Sequence, residues 1–109
     1  MNIQEEPGIA IFPIAKRFDS STSPDVETAL NRLIAGGTKK IICDFSGTEY
    51  VASAGMRVLL TTAKSLSKTG GKMVFCSLAP PVRKVFEIAG FTQIFPIFES
   101  CDSALKKLG

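Results

Sequence analysis

The 109-residue sequence contains no histidine and no tryptophan, and it has only one tyrosine. Without histidine the usual general base near neutral pH is missing, which excludes Ser-His-Asp and Cys-His catalytic sites. The glycine pairs Gly36-Gly37 and Gly70-Gly71 lack the flanking residues of a P-loop or a dinucleotide-binding turn, and the chain has no nucleophile elbow. We therefore predict a protein that is not an enzyme and that needs no cofactor.

Cysteine is also scarce, with three residues at wide spacing, Cys43, Cys76 and Cys101. The first two lie in apolar runs, where a thiol serves as a small core side chain. A zinc site usually shows more ligands at shorter spacing. These features predict reduced cysteines and no metal site.

Apolar runs long enough to cross a bilayer, about 20 residues, are absent. The segment from Met1 to Glu6 lacks the basic start and apolar stretch of a signal peptide. We therefore expect a cytoplasmic protein that does not insert into a membrane. The net charge of +3 is spread along the chain and does not indicate direct binding of nucleic acid.

Hydrophobic residues make up 45% of the sequence and charged residues 21%, which is typical of a folded globular domain. The length fits one domain over residues 1–109. Two short apolar runs, Lys39–Phe45 and Lys72–Ser77, are typical of strands covered on both faces. A hairpin of Ile3–Glu6 with Gly8–Ala15 is predicted before them. Because Pro13 lacks an N–H group, it indicates an edge position or a bulge.

Apolar residues recur at helical spacing in four other segments. The predicted helices begin at Ser23 as N-cap with Pro24 at N1, at Ser53, at Pro80 and at Asp102. A short strand is expected at Ile94–Phe98. Strands that alternate with helices favour parallel pairing and right-handed crossovers. The predicted fold is α/β, a small mixed, mostly parallel sheet with about four helices packed against it.

The segment from Asp44 to Leu60 leads from a buried strand through a short loop onto a helix. Ser53 falls where that helix begins, so its hydroxyl can accept a hydrogen bond from a backbone N–H group one turn further on. The positive end of the helix dipole also tolerates a phosphate. From its position alone, Ser53 is either an ordinary helix cap or the site of a reversible modification.

Two motifs in this segment, Asp44-Phe45-Ser46 and Val51–Met56, resemble the STAS family pattern of an aspartate-containing strand end followed by a D-S-S-G-like turn. The likeness extends over nearly the whole chain. Its further elements are the Arg17-Phe18-Asp19 corner, the Gly70-Gly71-Lys72 turn, the Pro81–Phe86 helix and the Gly90-Phe91 stop. The sequence thus resembles a STAS domain protein of the anti-sigma factor antagonist family.

This resemblance implies a phosphorylation-controlled protein-interaction switch in transcription regulation. Unphosphorylated, such an antagonist binds a partner that is both anti-sigma factor and serine kinase; phosphorylation of Ser53 would break the complex, and a PP2C-type phosphatase would restore binding. Two residues depart from the pattern, Ala52 in place of the aspartate and Ala54 in place of the second serine. The alternative is a constitutive STAS scaffold, or a subunit of a transporter or signalling complex, with Ser53 only a helix cap.

The candidate partner-binding surface surrounds Ser53. It comprises Asp19, Ala52, Ala54, Gly55, Met56, Arg57, Thr61 and Lys64. We define the polar stripe as Arg57, Thr61, Lys64 and Lys68, which are spaced to line one side of the second helix. This stripe either attracts an acidic partner or is a solvated helix face. The resemblance implies that Asp19 orients the serine or contacts the partner; the alternative is a turn aspartate that satisfies nearby backbone donors.

Overall fold

Short strands and α-helices alternate along the chain in the computed structural model, which describes residues 3–6 and 8–108 and, among these, leaves out the side chains of residues 4–6. The strands are β1 (Gln4–Glu6), β2 (Ile9–Pro13), β3 (Arg17–Phe18), β4 (Lys40–Asp44), β5 (Tyr50–Val51), β6 (Lys72–Cys76) and β7 (Ile97–Phe98). The helices are α1 (Ser23–Ala35), α2 (Ser53–Lys68), α3 (Pro80–Ile88) and α4 (Cys101–Leu108). A 3₁₀ turn, Phe91–Gln93, follows α3.

The main sheet has the strand order β1-β2-β4-β6-β7. Only β1 is antiparallel to its neighbour, since it forms the predicted hairpin with β2, whereas the other pairs are parallel. The turn residue Pro7 lies outside the described residues. The predicted α/β fold, a mixed and mostly parallel sheet with four helices, is confirmed.

Helices cover both faces of this sheet. In β4, Ile41 and Cys43 belong to the larger core, to which α1, α2 and α3 contribute. Ile42 between them faces the opposite way, into a smaller core closed by Ala104 of α4. Because alternate residues of a strand point to opposite faces, a strand buried on both sides is apolar throughout, as the run around Ile42 predicted.

A cluster of phenylalanines joins the sheet to α3 and to the turn after it. Phe75 of β6 stacks on Phe95 with ring centroids 4.4 Å apart, and Phe45 meets Phe75 edge to face at 5.1 Å. Phe86 of α3 lies 5.4 Å from both Phe45 and Phe75 and 5.3 Å from Phe91. Aromatic pairs in these arrangements add to the free energy of burial, so this cluster fixes the position of α3.

Several predicted boundaries are wrong by one or more residues. Ser23 is the first residue of α1 rather than its N-cap, because Thr22 occupies the cap position and its hydroxyl donates instead to the Arg17 carbonyl at 2.6 Å. The last helix begins at Cys101, one residue early. The strand expected at Ile94–Phe98 contains only its last two residues.

Pro13 was expected at an edge or a bulge, yet β2 lies inside the sheet. It is the last residue of the strand, opposite Asp44 of β4. The described residues of β1 pair only as far as Ile11, so the missing N–H group of Pro13 leaves no ladder position unfilled. None of the helices in the described ranges is both long and apolar enough to cross a membrane.

Candidate functional site

Ser53 is exposed and is the first residue of α2. The N-cap is Ala52, which is extended, and no side chain among the described residues caps this helix. The prediction that Ser53 caps the helix is therefore wrong. The cause is tertiary: the Ala52 N–H group donates to the Phe18 carbonyl at 2.9 Å, and this fixes the extended residue one position before the serine.

The first turn of α2 has spare hydrogen-bond donors. The Gly55 and Met56 N–H groups both donate to the Ala52 carbonyl, at 3.0 and 3.1 Å. Within the described part of the chain, the N–H groups of Ser53 and Ala54 have no acceptor, and the first turn contains no acidic residue. Since a helix N-terminus carries about half a positive charge, the serine stands at an electropositive point that no carboxylate in this turn neutralises.

Gly55 is buried and lies against the segment Arg17–Asp19, which we call the 17–19 corner. A Cβ atom at Gly55 would come within 2.8 Å of the Phe18 ring and of the Phe18 carbonyl oxygen. Such distances are too short for any side chain. Gly55 therefore allows close packing, and we assign it no direct contact with a partner, contrary to the expectation from the sequence.

The short parallel pair of β3 and β5 holds the corner beside the loop that leads into α2. Arg17 pairs with Tyr50 and Phe18 with Val51. The Arg17 guanidinium lies 4.6 Å from the centroid of the Tyr50 ring, a cation–π contact on the surface, and Tyr50 is 45% exposed. Tyr50 was missed from the sequence, because a two-residue strand shows no periodicity that could reveal it.

Asp19 follows Phe18 at the corner, and its carboxylate is used locally. Its Oδ1 accepts from the Ser21 N–H at 3.0 Å and from the Ser21 hydroxyl at 2.6 Å, and its Oδ2 lies 3.6 Å from the Arg17 guanidinium. The hydrogen bond from the Ser21 hydroxyl is the main cause of a lowered pKa at Asp19, followed by that from the Ser21 N–H. These contacts favour the turn-aspartate interpretation. No described hydrogen bond joins Asp19 to Ser53.

The polar stripe continues from Ser53 along α2. All four of its residues are exposed, as their spacing predicted. Ala52, Ala54 and Met56 are half-buried at the start of the helix. The opposite side of α2, with Val58, Leu59, Thr62 and Leu66, is buried in the larger core. One side of α2 therefore packs in the core, and the other side exposes Ser53 and the stripe to solvent.

The sequence profile of the STAS domain matches residues 1–104. The chain belongs to the STAS domain family. A relative in Bordetella bronchiseptica, BtrV, provisionally named an anti-sigma factor antagonist, is 38% identical over 89% of this chain and 84% of its own length. An anti-sigma F factor antagonist of Paenibacillus polymyxa is 27% identical over 99% of this chain and 97% of its own length.

The same fold is found in the solved structure of SpoIIAA from Bacillus in its phosphorylated form. It superimposes with a TM-score of 0.79 at 16% identity, and the match covers 99% of this chain and 98% of that chain. This likeness shows the fold. It agrees with the strand and helix order found here.

Beside the polar stripe, this STAS domain has a groove of about 460 Å³ between α2 and the residues that precede β7. Exposed Leu60 and Ile94 flank it, Phe95 and Pro96 line it, and Lys64 belongs to both the groove and the stripe. The sequence did not reveal this groove, because Ile94 was placed within a strand. Ser53 and the 17–19 corner therefore lie at the start of α2, and the stripe runs from there along the helix to the groove.

Proposed function

We propose that the chain is an anti-sigma factor antagonist that binds an anti-sigma factor when Ser53 is unphosphorylated and releases it when Ser53 carries a phosphate. The relatives from Bordetella and Paenibacillus are named for this activity, which supports the first half of the proposal. The observation that carries the second half is the exposed serine at the start of α2, beside two N–H groups without acceptors among the described residues.

A phosphate at this position would change the surface without disturbing the fold. It adds about 1.5 to 2 negative charges near pH 7. At the first residue of α2 these charges meet the positive end of the helix dipole and the N–H groups of Ser53 and Ala54, which have no acceptor among the described residues. The buried side of α2 keeps its contacts. Phosphorylation therefore changes the surface that the partner contacts and leaves the packing of the core unchanged.

The polar stripe supplies the electrostatic part of the switch. Arg57, Lys64 and Lys68 make this side of α2 positive and suited to an acidic partner surface. A phosphate on Ser53, one turn from Arg57, reverses the charge at the end of the stripe. Like charges brought together at an interface cost several kcal/mol, which is enough to separate a complex.

We further propose that the partner is itself the serine kinase that modifies Ser53, and that a PP2C-type phosphatase removes the phosphate. In this scheme the chain supplies an acceptor hydroxyl and a docking surface, and it performs no catalysis. Because Ala52 and Ala54 provide no carboxylate or hydroxyl beside Ser53, the kinase would recognise the 17–19 corner, Met56 and the stripe instead.

The substitution Ser53→Asp tests the switch, with Ser65→Asp as the matched control on an exposed position of the same helix. We expect Ser53→Asp to weaken binding to the anti-sigma factor by at least about 100-fold in calorimetry, which is about 2.7 kcal/mol. Its free energy of unfolding should rise by about 0.3 to 1 kcal/mol, because the new charge lies at the helix N-terminus. Ser65→Asp places a negative charge in the last turn of α2, so it should lower the free energy of unfolding. It should leave binding nearly unchanged. Equal affinity of Ser53→Asp and wild type would refute the switch.

Incubation with the partner kinase and ATP, followed by intact mass measurement, tests the chemistry directly. Wild type and Ser65→Ala should each gain one phosphate, and Ser53→Ala should gain none. A chain that binds its partner but gains no phosphate on Ser53 would fit the constitutive scaffold instead.

A further inference from the structure

The carboxyl ends of β4 and β6 meet the first residue of α4 at a group of three side chains with metal-binding atoms. These are Asp44, Cys76 and Cys101, whose carboxylate oxygen and two sulfur atoms all lie within 4.8 Å of one another. Cys76 Sγ is 4.0 Å from Asp44 Oδ1. The parallel register of the sheet places Asp44 opposite Cys76, so the two residues lie at the same end of neighbouring strands.

We propose that Asp44, Cys76 and Cys101 bind one zinc ion, which fastens α4 to the sheet. Two thiolates and one carboxylate form a ligand set that suits Zn²⁺ and not Mg²⁺ or Ca²⁺, which prefer oxygen alone. In a tetrahedral site with Zn–S bonds of about 2.3 Å and Zn–O bonds of about 2.0 to 2.2 Å, ligand atoms lie roughly 3.5 to 3.8 Å apart. Because the three ligand atoms lie within 4.8 Å of one another, the cluster reaches this spacing by a contraction of at most about 1.3 Å.

The exposure of the three residues suits entry of an ion. Cys76 is fully buried, whereas Asp44 and Cys101 are only partly buried, so the cluster is accessible to solvent from one side. The cluster lies on the sheet face that α4 covers, with Ile42 and Val74 beneath it. Zinc there would join β4, β6 and α4.

Ser77, next to Cys76, is the one non-glycine residue of the described chain with a positive φ, at 63°. Its N–H group donates to the Phe98 carbonyl at 3.1 Å, which holds the end of β6 to β7. Strained backbone of this kind persists where the surroundings enforce it and clusters at binding sites. A water molecule would be the fourth ligand of a tetrahedral site.

The sequence predicted no metal site, because the cysteines are widely spaced along the chain. The three ligands come together only in the folded sheet, so their sequence spacing could not reveal the site.

The experiment uses the full chain without an affinity tag. Since the chain has no histidine, background metal binding is low. Reduced protein is loaded with Zn²⁺, dialysed and measured by plasma mass spectrometry, and Co²⁺ serves as a second probe through its thiolate charge-transfer absorption.

We expect one zinc per chain in wild type and a tetrahedral cobalt spectrum with sulfur ligands. Cys101→Ser, at the partly buried ligand, should weaken zinc binding by more than the 10- to 100-fold typical of losing an outer-shell partner. Cys76→Ser should do the same, and Asp44→Asn should weaken binding. The matched control is Cys43→Ser, because Cys43 is buried on the other face of β4 and should leave binding unchanged.

Thermal unfolding gives an independent measurement. Zinc should raise the Tm of wild type and of Cys43→Ser, and chelation should reverse the rise, because an ion that binds the folded state stabilises it. Cys101→Ser should show no zinc-dependent rise while remaining folded by circular dichroism. Reduced wild type that retains no zinc, or zinc retained equally by Cys101→Ser, would overturn the proposal.

Discussion

Replacing Gly55 with alanine adds one methyl group where the 17–19 corner meets the first turn of α2. The new Cβ would lie 2.8 Å from two atoms of the Phe18 ring and from the Phe18 carbonyl oxygen. Phe18 is fully buried in the larger core, so its ring can move only by displacing the side chains packed against it. Its carbonyl accepts the Ala52 N–H group that fixes the start of α2, so the backbone moves only at the expense of that hydrogen bond.

Two opposing effects set the size of the change. Alanine is better than glycine inside a helix by about 1 kcal/mol. Overpacking a rigid contact costs about 1 to 3 kcal/mol, and we expect the upper part of this range because a backbone atom is involved. The free energy of unfolding should therefore fall by about 1 to 2 kcal/mol. For a domain of this size, that lowers Tm by roughly 5 to 10 °C.

Urea unfolding and thermal unfolding followed by circular dichroism measure both quantities. Gly47→Ala is the matched control, since Gly47 is exposed and a Cβ there has no atom within 4 Å. It should change stability by less than about 0.5 kcal/mol. If Gly55→Ala proved as stable as Gly47→Ala, the close approach of Phe18 to α2 would not be the reason for the glycine.

Two further predictions concern the core and the corner. Phe86→Ala should lower the free energy of unfolding by about 3 to 5 kcal/mol, because it removes the ring that joins α3 to the phenylalanine cluster, and urea unfolding measures it. Asp19→Asn should reduce stability at neutral pH, where the carboxylate accepts from Ser21. Since the pKa of Asp19 in the folded protein is lowered from 3.8, its contribution is present above that value and is lost as pH falls through the lower folded value, so the two proteins should converge in acid.

Each of these has a clear contrary result. A loss below about 1 kcal/mol for Phe86→Ala would mean that the cluster closes around the gap or that α3 is held by other contacts. A difference between wild type and Asp19→Asn that stays constant from neutral pH into acid would show that the local hydrogen bonds of the carboxylate do not contribute through its charge.

The buried strands were predictable from the sequence, because a strand covered on both faces must be apolar at every position. The runs at Lys39–Phe45 and Lys72–Ser77 each match an observed strand to within a residue or two. The spacing of Arg57, Thr61, Lys64 and Lys68 likewise predicted the exposed stripe of α2. Each of these features depends on local pattern alone.

Features that depend on distant contacts were not predictable. Ser23 and Ser53 were both expected to cap helices, and both are first helical residues instead. Hydrogen bonds to the 17–19 corner determine where each helix begins. The Thr22 hydroxyl makes this bond before α1, and the Ala52 N–H group makes it before α2. The capping propensity of serine is worth about 1 kcal/mol, and such tertiary contacts outweigh it.

The strand before α4 shows a conflict between two local patterns. The β-branched and aromatic residues of Ile94–Phe98 favour a short strand limited by Pro96, yet Phe95 donates its N–H group to the Phe91 carbonyl at 2.8 Å in a helical turn. The turn places Phe91 and Phe95 on the same side, in the phenylalanine cluster, and both are buried. Burial of these two aromatic rings therefore favours the helical turn over a longer strand.

The main sheet ends in a three-residue strand, β1, on one side and a two-residue strand, β7, on the other. Edges this short expose few unpaired backbone groups to a neighbouring molecule. A second protein gains little by adding a strand to this sheet. Recognition then depends on side chains, and specificity can be altered one residue at a time without risk of open-ended polymerisation.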